Sequence, residues 1–318
     1  MKDSILITGC AGFIGFHTAQ KLLSSGEKVI GIDIINNYYS SDLKEKRLAI
    51  LKKNKNFTFY KQDISKGIEI KESPKKIIHL AAQPGVRSFI DTPEEYETNN
   101  NLVSLKVFEY ARKNSIEKII YASSSSVYGN TDKKKSKETD STDLPISVYA
   151  ATKKYQEALA HVYHKNYGIN MIGLRFFNVY GEYGRPDMAY FKFAKKMLLN
   201  ETIDVYNNGD HERDFTYIDD VTEGIMLALK KAEGYKIYNI GNQKPITLLK
   251  FISIIEKNLG TEAKKNFTKM QKGDVRSTCA DIKKSRKEIG YNPKTDIEAG
   301  LKKFCSWFLK NKEFLLKI

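Results

Sequence analysis

The apolar run Ser4-Ile5-Leu6-Ile7-Thr8 breaks directly into Gly9-Cys10-Ala11-Gly12-Phe13-Ile14-Gly15, and few folds can use such a junction. It reads as a strand, a glycine-rich turn and a helix that starts near Phe13. Gly9 permits the tight turn, Gly12 lets backbone approach a pyrophosphate, and Gly15 allows the helix to pack closely. The helix amino end, with Phe13 and Ile14, presents partial positive charge to phosphates. A glycine triplet alone can be a mere tight connection, so the next strand matters. Lys28-Val29-Ile30-Gly31-Ile32 ends in Asp33, at about the ~20-residue distance expected of a carboxylate that binds the adenosine ribose hydroxyls. Asp33 repels a 2′-phosphate, which favours NAD over NADP.

Strand-like runs recur at Phe57–Tyr60, Lys76–Leu80, Lys118–Ser123 and Met171–Phe176, with helical stretches between most of them. This alternation predicts an α/β fold built on a doubly wound parallel sheet of the Rossmann type. The longest helices are expected at Glu94–Asn114 and Tyr149–Tyr167, each after a turn-forming segment. After Arg175 the periodicity changes, and the loop Gly181–Pro186 opens a second, smaller α/β lobe. Helices at Asp219–Lys231, Leu248–Leu259 and from Ile297 towards Phe308 follow, with a strand at Lys236–Ile240. The expected division gives residues 1–178 to the NAD-binding domain, with a return at about 214–242. Residues 179–213 and 243–318 form the substrate-binding domain.

In an open parallel sheet, ligands lie beyond the carboxyl ends of the strands. After the fourth strand, Leu80-Ala81-Ala82 offers small residues against which a cofactor can lie. After the fifth, Ser124, Ser125 and Ser126 offer an array of hydroxyls. Tyr149 and Lys153 then stand four residues apart on one helix face. A free phenol ionises near pH ~10, so it needs a fixed positive charge to act as a base near neutrality, and Lys153 supplies one. Such a pair arises by chance on many helices, so its weight comes from this context.

Composition narrows the alternatives. The chain has 318 residues, 41% of them hydrophobic, enough for two lobes with ordinary cores. No apolar stretch approaches the ~18 residues of a membrane span, and the first strand starts too early for a preceding signal peptide. The expected setting is cytoplasmic. Cys10, Cys279 and Cys305 lack the spacing of a disulfide framework or thiolate metal site, and the histidines are scattered, so no metal is expected. The net charge of +15 comes from 53 basic and 38 acidic residues. Its lysines are spread along amphipathic segments without aromatic interleaving, which reads as solvated faces rather than a nucleic-acid site.

Taken in order, Thr8 to Gly15, Asp63-Ile64, Leu80-Ala81-Ala82, the Ser124 loop, Tyr149 with Lys153, Arg175-Phe176-Phe177-Asn178-Val179-Tyr180-Gly181 and Arg213-Asp214-Phe215 resemble the extended short-chain dehydrogenase/reductase family of nucleotide-sugar enzymes. The resemblance spans nearly the whole chain. It implies NAD held as a recycled cofactor, with Asp63 and Ile64 near the adenine. It also implies a UDP diphosphate held by Asn178, Arg213 and Arg276, and pairing of the two long helices in a homodimer.

Dehydratases of this family carry an Asp-Glu pair in the serine loop, and the decarboxylases carry a Glu. This chain has hydroxyls there instead, so its chemistry is expected to stay with proton and hydride movement at C4: an epimerisation with Tyr149, Lys153 and Ser124 as catalytic residues. Asn36-Asn37-Tyr38-Tyr39, Leu43 to Leu48 and Gly184 to Ala189 further resemble epimerases that act on UDP-glucuronate. The sugar carboxylate is then expected to meet Ser125 and Ser126 together with Arg87 or Arg185, the latter favoured by its stiff Gly-Arg-Pro context. Two other readings stay open. One is a 4-epimerase of UDP-glucose or UDP-N-acetylglucosamine, and the other a non-catalytic NAD-binding regulator, which has no need of a proton relay.

Overall fold

The computed structural model describes residues 4–85, 92–131, 133–270 and 275–318. The first half alternates as the periodicity predicts, through β1 (Ser4–Thr8), α1 (Phe13–Ser24), β2 (Lys28–Asp33), α2 (Ser41–Leu51), β3 (Phe57–Lys61) and β4 (Lys76–His79). Next come α3 (Pro93–Tyr96), a π-helical stretch at Glu97–Leu102, α4 (Val103–Lys113), β5 (Lys118–Ser124), α5 (Val148–Tyr167) and β6 (Asn170–Phe176). The remainder holds β7 (Asn178–Tyr180), α6 (Ala189–Leu198), β8 (Thr202–Tyr206), β9 (Glu212–Tyr217), α7 (Ile218–Lys231) and β10 (Tyr235–Ile240). It closes with β11 (Pro245–Thr247), α8 (Leu248–Leu259), β12 (Lys264–Thr268), α9 (Lys283–Ile289), α10 (Ile297–Lys310) and α11 (Lys312–Leu315).

Seven strands form one parallel sheet in the order β10-β6-β5-β4-β1-β2-β3. The order reverses between β1 and β4, which opens a crevice at their carboxyl ends. Alternation along the strands divides the core. Ile5 and Ile7 join the side covered by Phe16 of α1 and Ile225 of α7, while Leu6 joins Val107 and Phe108 of α4 and Tyr163 of α5. Both faces are therefore dry, as a parallel sheet requires. Smaller sheets β11-β9-β7 and β12-β8 lie beside this one. There Phe215 stacks on Phe251 with ring centroids 4.1 Å apart.

The helix expected over Glu94–Asn114 is continuous but not uniform, since its middle is π-helical. The wider turn points Asn100 inward. Its Oδ1 accepts from Gln83 N at 2.7 Å, and its Nδ2 donates to Gln83 O at 3.1 Å and Thr152 Oγ1 at 2.9 Å. One side chain thus ties the loop after β4 to α5. Periodicity cannot reveal such a device, because it costs only one extra residue in a helical turn.

Among the described residues, no helix is long and apolar enough to cross a membrane, and no three His, Cys, Asp or Glu side chains are grouped as metal ligands. All three cysteines are buried and unbridged.

α5 is anchored by a buried ion pair. Glu157 accepts from Arg175 Nε and Nη2 of β6, both at 2.8 Å, and from Ser123 Oγ of β5 at 2.6 Å. The paired side chains are each 4% exposed. Removing one partner strands the other charge in a dry environment, so Glu157→Ala should lower unfolding stability by about 3–5 kcal/mol. Urea denaturation of the variant beside the parent chain measures this loss.

Candidate functional site

The strand ends on both sides of the reversal line a cavity of about 420 Å³. At β1 the chain turns at Gly9, whose φ of +72° suits glycine, and a Cβ there would lie 2.8 Å from Ala81 N. A Cβ on Gly15 would lie 2.1 Å from Gly9 O, so α1 packs directly on the turn. Gly9, Gly12, Phe13, Ile14 and Gly15 all line the cavity, as do Leu80, Ala81 and Ala82. Asp33 closes one end. Its Oδ2 accepts from Ala11 N at 3.0 Å and its Oδ1 from Ile35 N at 2.9 Å, which fixes both oxygens at the wall. Ile35 adopts φ +54°, a costly conformation for a β-branched residue, and the Asp33 bond helps to hold it there. Asp63 and Ile64 line the same end, with Asp63 Oδ1 receiving Ser65 N at 3.0 Å and Ser65 Oγ at 2.7 Å.

Tyr149 and Lys153 enter from the first turns of α5, which Ser147 caps by accepting from Ala150 N at 3.1 Å. The Lys153 ammonium donates to Ala122 O at 2.7 Å and Gln156 Oε1 at 3.3 Å, and lies 5.8 Å from the Tyr149 ring centroid. Ser124 ends β5 and Ser125 and Ser126 follow it on the wall, with Ser126 Oγ donating to Ser124 Oγ at 2.8 Å. The electrostatics differ from the expected division of labour. Burial pushes the Tyr149 phenol up, while the Ser124 hydroxyl bond and the charge of Arg185 pull it down. Lys153 is itself pushed down to about 7 by burial, against the pull of Glu157. The sequence spacing gives no warning of this, because desolvation depends on which elements cover the helix.

Asn178, Arg185 and Arg213 also line the cavity. Arg185 holds Asp187 through Nε at 3.0 Å and Nη2 at 2.5 Å, and faces the Tyr38 ring at 5.7 Å. Arg213 Nη1 donates to Glu212 O at 2.9 Å and Arg276 O at 3.1 Å. Arg276 stands apart from the others. It is outside the cavity wall, with Nη2 2.5 Å from Asp210 Oδ2, and its side chain is 75% exposed. Arg87 lies outside the described residues. The sequence reading singled out no site role for Asn36, Lys44, Asn99, Met188 or Thr278, which also line the cavity. Asn36, Lys44 and Met188 fall in segments that carry the resemblance, which is the available signal. Lys44 is pushed down to about 8 by burial and bonds Asn36 O at 2.7 Å.

Residues 5–241 match the NAD dependent epimerase/dehydratase family. The chain belongs to that family. Family members similar to this chain include an uncharacterized protein of Methanocaldococcus jannaschii, 56% identical over 99% of both chains. UDP-glucuronate 4-epimerase 4 of Arabidopsis thaliana is 41% identical over 96% of this chain and 75% of that one. Among solved structures, UDP-glucuronic acid 4-epimerase from Bacillus cereus, in complex with UDP-glucuronic acid and NAD, superposes with a TM-score of 0.91. It is 37% identical, covering 96% of this chain and 99% of that one.

Burial of Lys153 has a consequence for stability. Between its folded value of about 7 and its ordinary value of 10.5, the unfolded chain binds a proton that the folded chain has released. Stability therefore rises with pH across that window on account of Lys153, by at most about 1.4 kcal/mol per pH unit. Lys153→Met should flatten this part of the rise in nucleotide-free protein, and melting curves from pH 6 to 10 for both chains read the difference.

Proposed function

We propose that this protein is an NAD-dependent UDP-glucuronate 4-epimerase, interconverting UDP-glucuronate and UDP-galacturonate. The observation that carries the reading is the convergence of Tyr149, the three hydroxyls Ser124 to Ser126 and the Arg185 guanidinium on one cavity wall, with no carboxylate in the serine loop. The family membership and the likeness to the Bacillus cereus enzyme support it. Gly9, Gly12 to Gly15, Asp33, Asp63, Ile64 and Leu80 to Ala82 line one cavity together with Lys153, and the glycine-rich turn, helix amino end and carboxylate suit a dinucleotide. When bound there, NAD supplies reversible acceptance of a hydride from C4.

The chain's own residues handle the proton and the charge. Tyr149 takes the proton of the 4-hydroxyl and returns it once the 4-keto sugar has presented its other face. Ser124 bonds the same oxygen, first as a hydroxyl and then as a ketone. Asn178, Arg213 and Arg276 hold the diphosphate, Arg276 after turning from Asp210. Arg185 keeps Nη1 for the sugar carboxylate while Asp187 holds its other edge, and Ser125 and Ser126 donate to that carboxylate.

The domain division at 1–178 with a return at 214–242, against 179–213 and 243–318, is supported by β10 joining the large sheet and by α7 packing on α1. The protein is placed in the cytoplasm as part of this proposal, and a homodimer through the long helices is supported by the exposed Leu102 beside α4 and by Tyr155, Val162 and Tyr167 of α5. Light scattering should give twice the chain mass, and a monomer at micromolar concentration would refute the pairing.

Tyr149→Phe keeps the ring and deletes the ionisable oxygen, so turnover should fall by about 10²–10⁴ while UDP-sugar affinity changes little. Substrate deuterated at C4 should yield product that retains the label without added cofactor. Label lost to solvent would instead indicate proton abstraction from carbon, and no product at all would favour a regulator.

Sugar choice is read by an NMR assay across UDP-sugars. The uronates should interconvert at least ~100-fold more efficiently than UDP-glucose and UDP-galactose, or roughly 2.7 kcal/mol of discrimination. Arg185→Ala should erode that ratio. Equal efficiency with neutral sugars would leave a general 4-epimerase.

A further inference from the structure

Arg47 is 0% exposed, yet its partners are carbonyls and a phenol rather than a carboxylate. Nη1 donates to Ala11 O at 2.8 Å, inside the glycine-rich turn, and to Tyr39 Oη at 2.6 Å. Nε and Nη2 both donate to Tyr183 O, at 3.1 and 2.6 Å, and Nη2 also reaches Gly184 O at 3.2 Å. Burying a charge is costly unless hydrogen bonds replace its water, and here, besides Tyr39 Oη, the carbonyls that replace it come from two segments over a hundred residues apart. One is the cofactor turn and the other leads straight into Arg185.

The second segment is held in a conformation it would not favour alone. Tyr183 has φ +54°, in the left-handed region. Its carbonyl is the one that Arg47 grips twice. A Cβ on Gly184 would lie 1.9 Å from Tyr190 Oη, so the next position has no room for a side chain. His17 Nε2 bonds Glu182 O at 2.9 Å and adds a second tie from α1 to the same loop.

We infer that Arg47 is a positioning residue that couples the cofactor turn to the loop presenting Arg185, so that cofactor affinity and sugar selectivity depend on one buried guanidinium. The inference rests on the reading of Arg185 as the carboxylate contact. Its planar fork suits the task because one rigid group spans carbonyls of both segments, which a single ammonium cannot do.

The test compares Arg47→Met, Arg47→Lys, Arg185→Ala and the Arg47→Met/Arg185→Ala double variant. NADH affinity is measured by fluorescence titration, and the uronate-to-neutral-sugar efficiency ratio by NMR. Arg47→Met should weaken NADH binding at least tenfold and lower the ratio at least tenfold. Arg185→Ala should lower the ratio alone, and Arg47→Met should lower it no further in that background, because it acts through Arg185. Arg47→Lys should fall between the parent and Arg47→Met on both readouts. If Arg47→Met does not fold, the lysine variant carries the test, with both readouts shifted at least threefold. Parental values on either readout, or fully additive losses in the double variant, would overturn the coupling. A parent chain with no uronate preference would instead refute the reading of the site, and the NADH titration would still report whether Arg47 supports the turn.

Discussion

The buried pair of Glu157 and Arg175 sets the frame on which the site depends. It binds α5 to β6, and through Ser123 to β5, with every contact dry. Tyr149 and Lys153 stand on the same helix, about two turns and one turn earlier respectively, so their height above the strand ends follows from that clamp. A buried ion pair is weak evidence for net stability, since apolar packing could do as well. Its contribution here is positional. A charge that cannot be left unpaired fixes the rotation of α5, which a greasy face allows to slide.

The site itself is governed by desolvation more than by any single pair of charges. Tyr149 is driven up and Lys153 down by the same burial. The groups that offset this lie on separate elements: Ser124 at the end of β5, Arg185 after β7 and Glu157 within α5. The Arg185 guanidinium and the hydroxyls of Ser124, Ser125 and Ser126 line the same cavity. The broad basicity of the chain is a separate matter, carried by lysines along its amphipathic segments.

The strands and helices of the large sheet were legible because their signals are local. Periodicities of two and of 3.6 need only a few residues to declare themselves, so the pattern gives both ends of β1 and β2, and of α8 in the second lobe, correctly. The short strands β7, β9 and β11 were not read. Each has three to six residues, and their pairing joins segments far apart in the chain, so no local pattern marks them.

The sequence by itself determined the parallel sheet, the glycine-rich turn, the acidic end of β2 and the four-residue spacing of Tyr149 and Lys153, because each is a property of neighbouring residues. Only the tertiary structure decided that Lys153 bonds Ala122 and Gln156, that Asn100 is turned inward by a π-helical step, and that Arg276 sits outside the cavity wall while Arg185 lies within it. It also decided that Arg47, one residue in a basic helix, joins two halves of the site. Burial and the partners of a charge are set by what packs across from it, and those atoms come from anywhere in the chain.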